Sequence, residues 1–200
     1  MGAPHETSAP PRRRRSDARR SIDAILNAAR ILLGEGSGAS MEDIAAKAGV
    51  TRQTVYAHFP SRDALMAALV EGAAAEYAEL LDEADLDTAP PAEALARFLD
   101  AGWRFLGRYS LLLNATAARV PRPDPDPHDL VPPRLERLIE RGKRSGDFDV
   151  SLPVGWLAAA VLGLHHAAAG EVAAGRLTSA EAEELCLAST LRLCGAESRR

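Results

Sequence analysis

The sequence predicts an all-α protein, and three observations carry that expectation. The 200 residues are rich in Ala, favour Arg over Lys, and are poor in aromatic and β-branched side chains, a mixture that favours helix over strand. Apolar residues recur at three- and four-residue spacing along most of the chain, and no segment demands a strand. Ser, Thr, Gly and Pro stand where helices of ordinary length start and stop. A chain of this length can bury a core without disulfide or metal staples.

Residues 1–16 are Pro-rich, end in Arg12-Arg13-Arg14-Arg15, and carry too little apolar surface to fold alone, so they are expected to form a flexible basic arm. Ile22, Ile25, Leu26, Ala29, Leu32 and Leu33 then recur at helical spacing, and Gly34, Gly36 and Gly38 end this first helix. Ser40-Met41-Glu42-Asp43 reads as a capping box with Asp in the usual place of Glu. It opens a second helix with Met41, Ile44, Ala45 and Ala48 on its apolar face and Gly49 as its left-handed terminator. Thr51 caps a third helix. Val50 and Val55 form a hydrophobic staple, and Val55 and Phe59 make a buried pair one turn apart. Pro60 stops that helix, Ser61 caps the fourth, and Asp63 lies in its first turn, where the helix dipole favours a carboxylate.

The third helix is therefore very short, and its remaining surface concentrates hydrogen-bonding side chains: Arg52, Gln53, Thr54, Tyr56 and His58. Two helices joined by a tight Gly-containing turn, the second presenting polar residues from its N-terminal end, make a helix-turn-helix that fits a DNA major groove. Arg pairs bidentately with guanine and Gln with adenine. Spacing alone also allows a capped helix with a merely solvated face.

The run ILNAARILLGEGSGASMEDIAAKAGVTRQTVYAHFPSRDALMAAL resembles the DNA-binding region of the TetR family of bacterial transcriptional regulators across about fifty residues. The likeness includes Asp43-Ile44-Ala45, Ala48-Gly49-Val50, Val55-Tyr56, His58-Phe59 and Ser61-Arg62-Asp63. The resemblance implies that Thr51, Arg52 and Gln53 approach base edges while Ser40, Tyr56, His58 and Arg62 hold phosphates. Tyr56 also serves as core cover with a wet hydroxyl, and His58 as a cation complementing the helix dipole. Arg12 to Arg15, with Arg19 and Arg20, read equally as a minor-groove arm or a solvated tail.

From Met66 onward the motifs thin out. A fourth helix runs through Leu65, Leu69, Gly72 and Tyr77 to about Leu81; Pro90-Pro91 opens a fifth with Leu95, Phe98, Leu99, Gly102 and Leu106 on one face; Ser110 to Val120 reads as a sixth. Pro121 to Pro133 is a Pro/Asp loop. Leu135, Leu138, Ile139 and Gly142 mark a seventh helix ended by Gly146. Ser151 is expected to cap a long eighth helix and Thr178 a ninth, with Leu185, Leu187, Ala188, Leu191 and Leu193 on its apolar pattern. The domains expected are the arm, a helix-turn-helix domain over residues 17–65, and a ligand-binding and dimerisation domain over residues 66–200.

Helix eight is built of small residues, Ala158 to Ala160, Gly163, Ala167 to Ala169 and Gly170, which permit close helix approach. Either it packs within the chain, or it meets its copy across a two-fold with helix nine in a four-helix bundle. The family resemblance implies the second, and a palindromic operator requires two copies. Trp103, Phe105, Tyr109 and Trp156 are either core or walls of an apolar cavity. Of His165-His166, adjacent and so about 100° apart on a helix, one is suited to a pocket and the other to an interface. With His165 these aromatics are the candidate ligand-binding residues. No metal and no cofactor are expected, since the two His do not converge and no catalytic triad, phosphate loop or metalloprotease pattern accompanies them.

Charge divides along the chain. Residues 1–65 carry ten Lys or Arg against seven Asp or Glu, and residues 66–200 carry fourteen against twenty-one, so the front suits a polyanion and the back does not. Cys186 and Cys194 stand eight apart on one helix, roughly 12 Å at 1.5 Å per residue, too far to bridge, and read as reduced core thiols of a cytoplasmic protein. The apolar run Trp156 to Leu164 breaks at His165-His166 short of a membrane span, and no export signal is expected. The expected function is that of a ligand-responsive repressor, not an enzyme, which binds a palindromic double-stranded operator as a homodimer through helices eight and nine and is released by an unidentified small molecule. The competing readings are a helical small-molecule-binding or enzymatic protein and a regulator with no small-molecule effector.

Overall fold

The structure, a computed structural model, describes residues 11–34, 38–116 and 131–196. Among them are eight α-helices and no strand. They form two compact units, residues 11–69 with 111–116, and residues 70–110 with 131–196.

The first unit holds α1 (Pro11–Gly34), α2 (Met41–Ala48), α3 (Arg52–His58) and the start of α4 (Arg62–Glu83). α1 packs on α2 and α3, and α2 on α3. Ile25, Ala28, Ala29 and Leu33 of α1 are buried, as are Met41, Ile44 and Ala45 of α2, Val55 of α3, Phe59, and Leu65, Met66 and Leu69 of α4. Full burial of each large apolar side chain stabilises by about 1.5–3 kcal/mol, so this core holds a seven-residue helix that would not persist alone. The expected capping box is formed: Ser40 Oγ accepts from Asp43 N at 3.2 Å, and Asp43 Oδ2 accepts from Ser40 N at 2.8 Å. The Ser40 hydroxyl, then its backbone N–H, hold the Asp43 carboxyl below its usual pKa. Gly49 ends α2 in the left-handed region, at φ 68°, where a side chain would be strained.

The second unit holds the rest of α4, α5 (Pro91–Thr116) as far as Ser110, α6 (Val131–Ser145), α7 (Val154–Ala173) and α8 (Ser179–Leu193). α6 packs on α7 and α7 on α8. α6 buries Val131, Leu135, Leu138, Ile139 and Gly142 along one stripe. Beyond it the chain folds back, and Phe148 N donates to Gly142 O at 3.0 Å while the Phe148 ring is fully buried. A Cβ at Gly142 would lie 2.2 Å from Phe148 Cδ2. Gly142→Ala is accordingly expected to destabilise this unit by about 1–3 kcal/mol through overpacking. Thermal melting followed by circular dichroism checks it, and an unchanged transition would contradict it.

Several boundaries differ from those expected. α1 begins at Pro11, so Arg12 to Arg15 are helical rather than part of an arm; Pro suits a first helical position and Arg propagates a helix well. Residues 1–10 of that arm lie outside the described residues. The fifth and sixth expected helices are one, α5, because no Pro separates Leu106 from Thr116, Ser110 lies within the helix, and the lone Gly107 is tolerated in a helix interior. The described count is thus eight helices rather than nine. α6 starts at Val131 and takes Pro132 and Pro133, expected in the loop, into its first turn, where their missing N–H groups cost nothing. Residues 117–130 are outside the description. The cap of α7 is Pro153, without a side-chain bond, rather than Ser151, whose N–H instead donates to Asp149 Oδ1 at 2.7 Å. Thr178 caps α8 as expected, in a box with Glu181. The face of α8 that is buried is Ala182, Cys186 and Thr190, followed by Cys194, rather than the leucine pattern, and Leu185 is 54% exposed. Both cysteines are free and buried, and burial pushes the Cys194 thiol up to about 11. Among the described residues no helix is long and apolar enough to cross a membrane.

Candidate nucleic-acid interface

α3 is delimited at both ends by bonds its own sequence supplies. Thr51 Oγ1 accepts from Thr54 N at 3.1 Å and lies 2.8 Å from Thr54 Oγ1, so both hydroxyls serve the cap. At the other end Phe59 N donates to Val55 O at 2.8 Å, and Ala64 N donates to Ser61 Oγ at 3.1 Å to start α4. With Val55 inward, Arg52, Gln53 and Tyr56 are exposed, while Thr54 and His58 are half-buried.

Arg52 is held on two sides. Its Nη1 lies 2.6 Å from Glu42 Oε1 on α2, and its guanidinium carbon sits 5.3 Å from the Tyr56 ring centre, one turn along α3. Tyr56 first, and Glu42 second, raise the Arg52 pKa. A guanidinium fork held in one orientation loses less entropy on pairing with a guanine edge. Arg62 is placed differently from a free phosphate ligand: its Nη1 donates to the Ala39 carbonyl, which clamps the start of α4 to the residue before the Ser40 cap. Two parts of this arrangement, Glu42 and the Ala39 carbonyl, were not among the residues singled out in the sequence. They lie 10 and 23 positions from their partners on other elements, and no local spacing rule connects them.

The candidate ligand-binding residues belong to the second unit, and four of the five meet in two pairs. His165 on α7 is buried and meets Trp103 of α5 edge-on, with ring centres 4.8 Å apart. Phe105 stacks on Tyr77 of α4 at 4.5 Å, and Tyr109 follows Phe105 at 5.0 Å. The Tyr109 hydroxyl donates to Glu76 Oε2 at 2.6 Å, and Arg108 pairs with the same carboxylate. Trp156 is not in this group. It is 62% exposed, so the reading of it as a cavity wall is corrected. His166 is exposed, its ring centre 6.3 Å from that of His165. Trp103 Nε1 and His165 Nε2 are buried without a hydrogen-bond partner, and a buried polar atom left so costs about 1–3 kcal/mol. Among the described residues no group of three or more His, Cys, Asp or Glu is placed to hold a metal ion.

Burial, and then the neighbouring His166, lower the His165 pKa from 6.5 to about 4. The unfolded chain therefore takes up this proton first. The contribution of His165 is flat above pH 6.5 and turns against folding as pH falls from there to about 4, by at most about 3 kcal/mol. Denaturant titrations at pH 7 and pH 5 are expected to show this loss in the wild type and less of it in His165→Phe. Equal losses would place the acid sensitivity elsewhere.

Residues 25–69 match the model for bacterial regulatory proteins of the tetR family. The HTH-type transcriptional repressor LfrR of Mycolicibacterium smegmatis (strain ATCC 700084 / mc(2)155) is 35% identical over 82 residues. That alignment spans 41% of this chain and only 43% of the relative. Among solved structures, the TetR-like regulator LfrR from Mycobacterium smegmatis in complex with proflavine superposes with a TM-score of 0.63 at 25% identity, covering 86% of this chain and 95% of that one. A TetR family transcriptional regulator, PfmR from Thermus thermophilus, gives 0.68 at 23% identity, covering 86% and 97%.

Proposed function

We propose that this chain, whose residues 25–69 match the model for bacterial regulatory proteins of the tetR family, is a cytoplasmic transcriptional repressor which binds a palindromic operator as a homodimer and releases it when a small molecule occupies the second unit. One observation carries the DNA-binding half: a seven-residue helix capped at both ends that presents Arg52 and Gln53, with Arg52 aimed by Glu42 and Tyr56. Thr51, Arg52 and Gln53 approach base edges. Tyr56 and His58 hold phosphate, as does the N-terminal turn of α2 at Ser40, while Arg62 acts mainly by fixing that turn.

The dimer forms through α7 and α8. Trp156, Ala159, Gly163, His166 and Gly170 are all exposed and recur at three- and four-residue spacing along α7, with Leu185 exposed on α8. This is a stripe of mostly small residues with apolar ends, suited to close helix approach across a two-fold. Two copies of α3 then meet half-sites about one helical turn apart. The ligand half is supported by the His165 and Trp103 cluster and by the proflavine complex of the LfrR neighbour. An effector acts by population shift and must prefer the non-binding dimer by about 5.5 kcal/mol for a full switch.

Sequencing genomic fragments retained by the purified protein tests this reading. An enriched inverted repeat is expected, and recovery of random sequence would contradict it. Within the site, Glu42→Gln is expected to bind random duplex as well as the wild type or better, because an acidic group is lost near the phosphates. Its preference for operator over random DNA should fall roughly threefold to tenfold as Arg52 loses a support. Anisotropy titrations on both duplexes read the ratio, and an unchanged ratio would make Glu42 a bystander.

A further inference from the structure

We propose that Trp103 and His165 form a recognition pair for a hydroxyl group, so that the molecule sensed is an uncharged aromatic or apolar compound bearing a hydroxyl oxygen. The inference rests on the reading of the second unit as a sensor and names the chemistry that unit reads.

The argument starts from two orphaned atoms. The Trp103 indole N–H is a donor only, so its missing partner must be an acceptor. His165 Nε2 is a donor in one neutral tautomer and an acceptor in the other. A hydroxyl oxygen satisfies both atoms in either case, accepting from Trp103 while it donates to or accepts from His165. A carbonyl or ether oxygen succeeds in only one tautomer, and an ammonium group cannot accept from Trp103 at all.

The surroundings suit such a ligand. Gly102 precedes Trp103, and a Cβ there would lie 2.9 Å from both His165 Cε1 and Nε2 and 3.5 Å from the Tyr77 hydroxyl oxygen. His165 thus packs directly on the bare backbone of Gly102, and the Tyr77 hydroxyl lies beside the same position. The Tyr77–Phe105 stack supplies flat apolar surface beside them. His165 is neutral at pH 7, its burial lowering its pKa to about 4, so the corner carries no positive charge to reward an anion. α5 and α7 each bring an unsatisfied polar atom to a pair of rings whose centres lie 4.8 Å apart, and a ligand oxygen between the rings would satisfy both.

The test uses the full-length protein and a matched pair of probes, 4-ethylphenol and ethylbenzene, which differ by one oxygen. The Trp103 indole N–H resonance, assigned by its loss in Trp103→Phe, reports the contact. The expected result is a downfield shift of that resonance with 4-ethylphenol alone, and binding of the phenol about tenfold or more tighter than that of ethylbenzene. His165→Phe is expected to keep a wild-type melting temperature or better while the phenol's advantage disappears. Should that variant fail to fold, Trp103→Phe gives the same reading by calorimetry. Equal affinities for the two probes, or a Trp103 resonance unmoved by either, would overturn the proposal. Operator binding without probe, measured on the same preparation, separates the two claims. If it is retained when the probes fail, only the ligand chemistry falls; if it is absent, the regulator reading falls whatever the probes do.

Discussion

Replacing Arg52 with Ala lowers operator affinity roughly tenfold to a hundredfold, the expected consequence of losing a bidentate contact to a base. The loss is selective. Binding to random duplex falls much less, because a base contact contributes to discrimination more than to general attraction, and the preference at one position of each half-site relaxes. Tyr56→Phe makes the contrast, since it removes a hydroxyl assigned to phosphate and keeps the ring under Arg52; it weakens all sequences about equally. Titration of both variants on operator and random DNA reads the difference. An equal loss on the two duplexes for Arg52→Ala would show that Arg52 touches phosphate and not base.

Gly163→Trp is the second large effect. Gly163 is exposed on α7, and a Cβ there meets nothing within 4 Å, so the substitution is accommodated by its own chain. Gly is also a poorer helix residue than Trp, which favours the monomer fold slightly. Across the proposed two-fold the same bulk falls where small residues let the helices approach, and it acts twice, once from each copy. Overpacking of about 1–3 kcal/mol at each of the two sites raises the dimer dissociation constant roughly thirtyfold or more. Ala160 is a poorer probe, since it is half-buried in its own chain and bulk there disturbs the monomer as well. Sedimentation is expected to find folded monomers of Gly163→Trp at concentrations where the wild type is dimeric. A variant that remains dimeric would remove α7 from the interface.

What the sequence made legible was local. The Ser40 and Asp43 box, the Gly49 terminator and the Thr51 and Thr178 caps all follow from bonds between residues three to five apart, and each stands where spacing put it. Starts were less legible than stops. α5 runs through an expected start at Ser110 because nothing there forbids a helix, and α7 begins after Pro153 because Asp149 takes the N–H of Ser151 into a turn. On α8, apolar spacing marked out the leucines, yet the buried row is Ala182, Cys186 and Thr190, the small residues that let α7 come close. Pairings between elements left no sequence signal. The Glu42 carboxylate on Arg52, and the meeting of Trp103 with His165 over Gly102, bring together residues whose separation in the chain carries no periodic mark. Trp156 shows the converse error: a rare aromatic beside small residues looks like part of a core and is in fact outward-facing.

The most direct measurement is the stoichiometry of the complex, by analytical ultracentrifugation of the protein with the duplex recovered from genomic selection and, in parallel, with a random duplex of equal length. Two chains per selected duplex are expected, at protein concentrations where the random duplex sediments free, with Arg52→Ala narrowing the difference between the two. One chain per duplex, or equal occupancy of selected and random DNA by the wild type, would contradict a dimeric, operator-reading repressor.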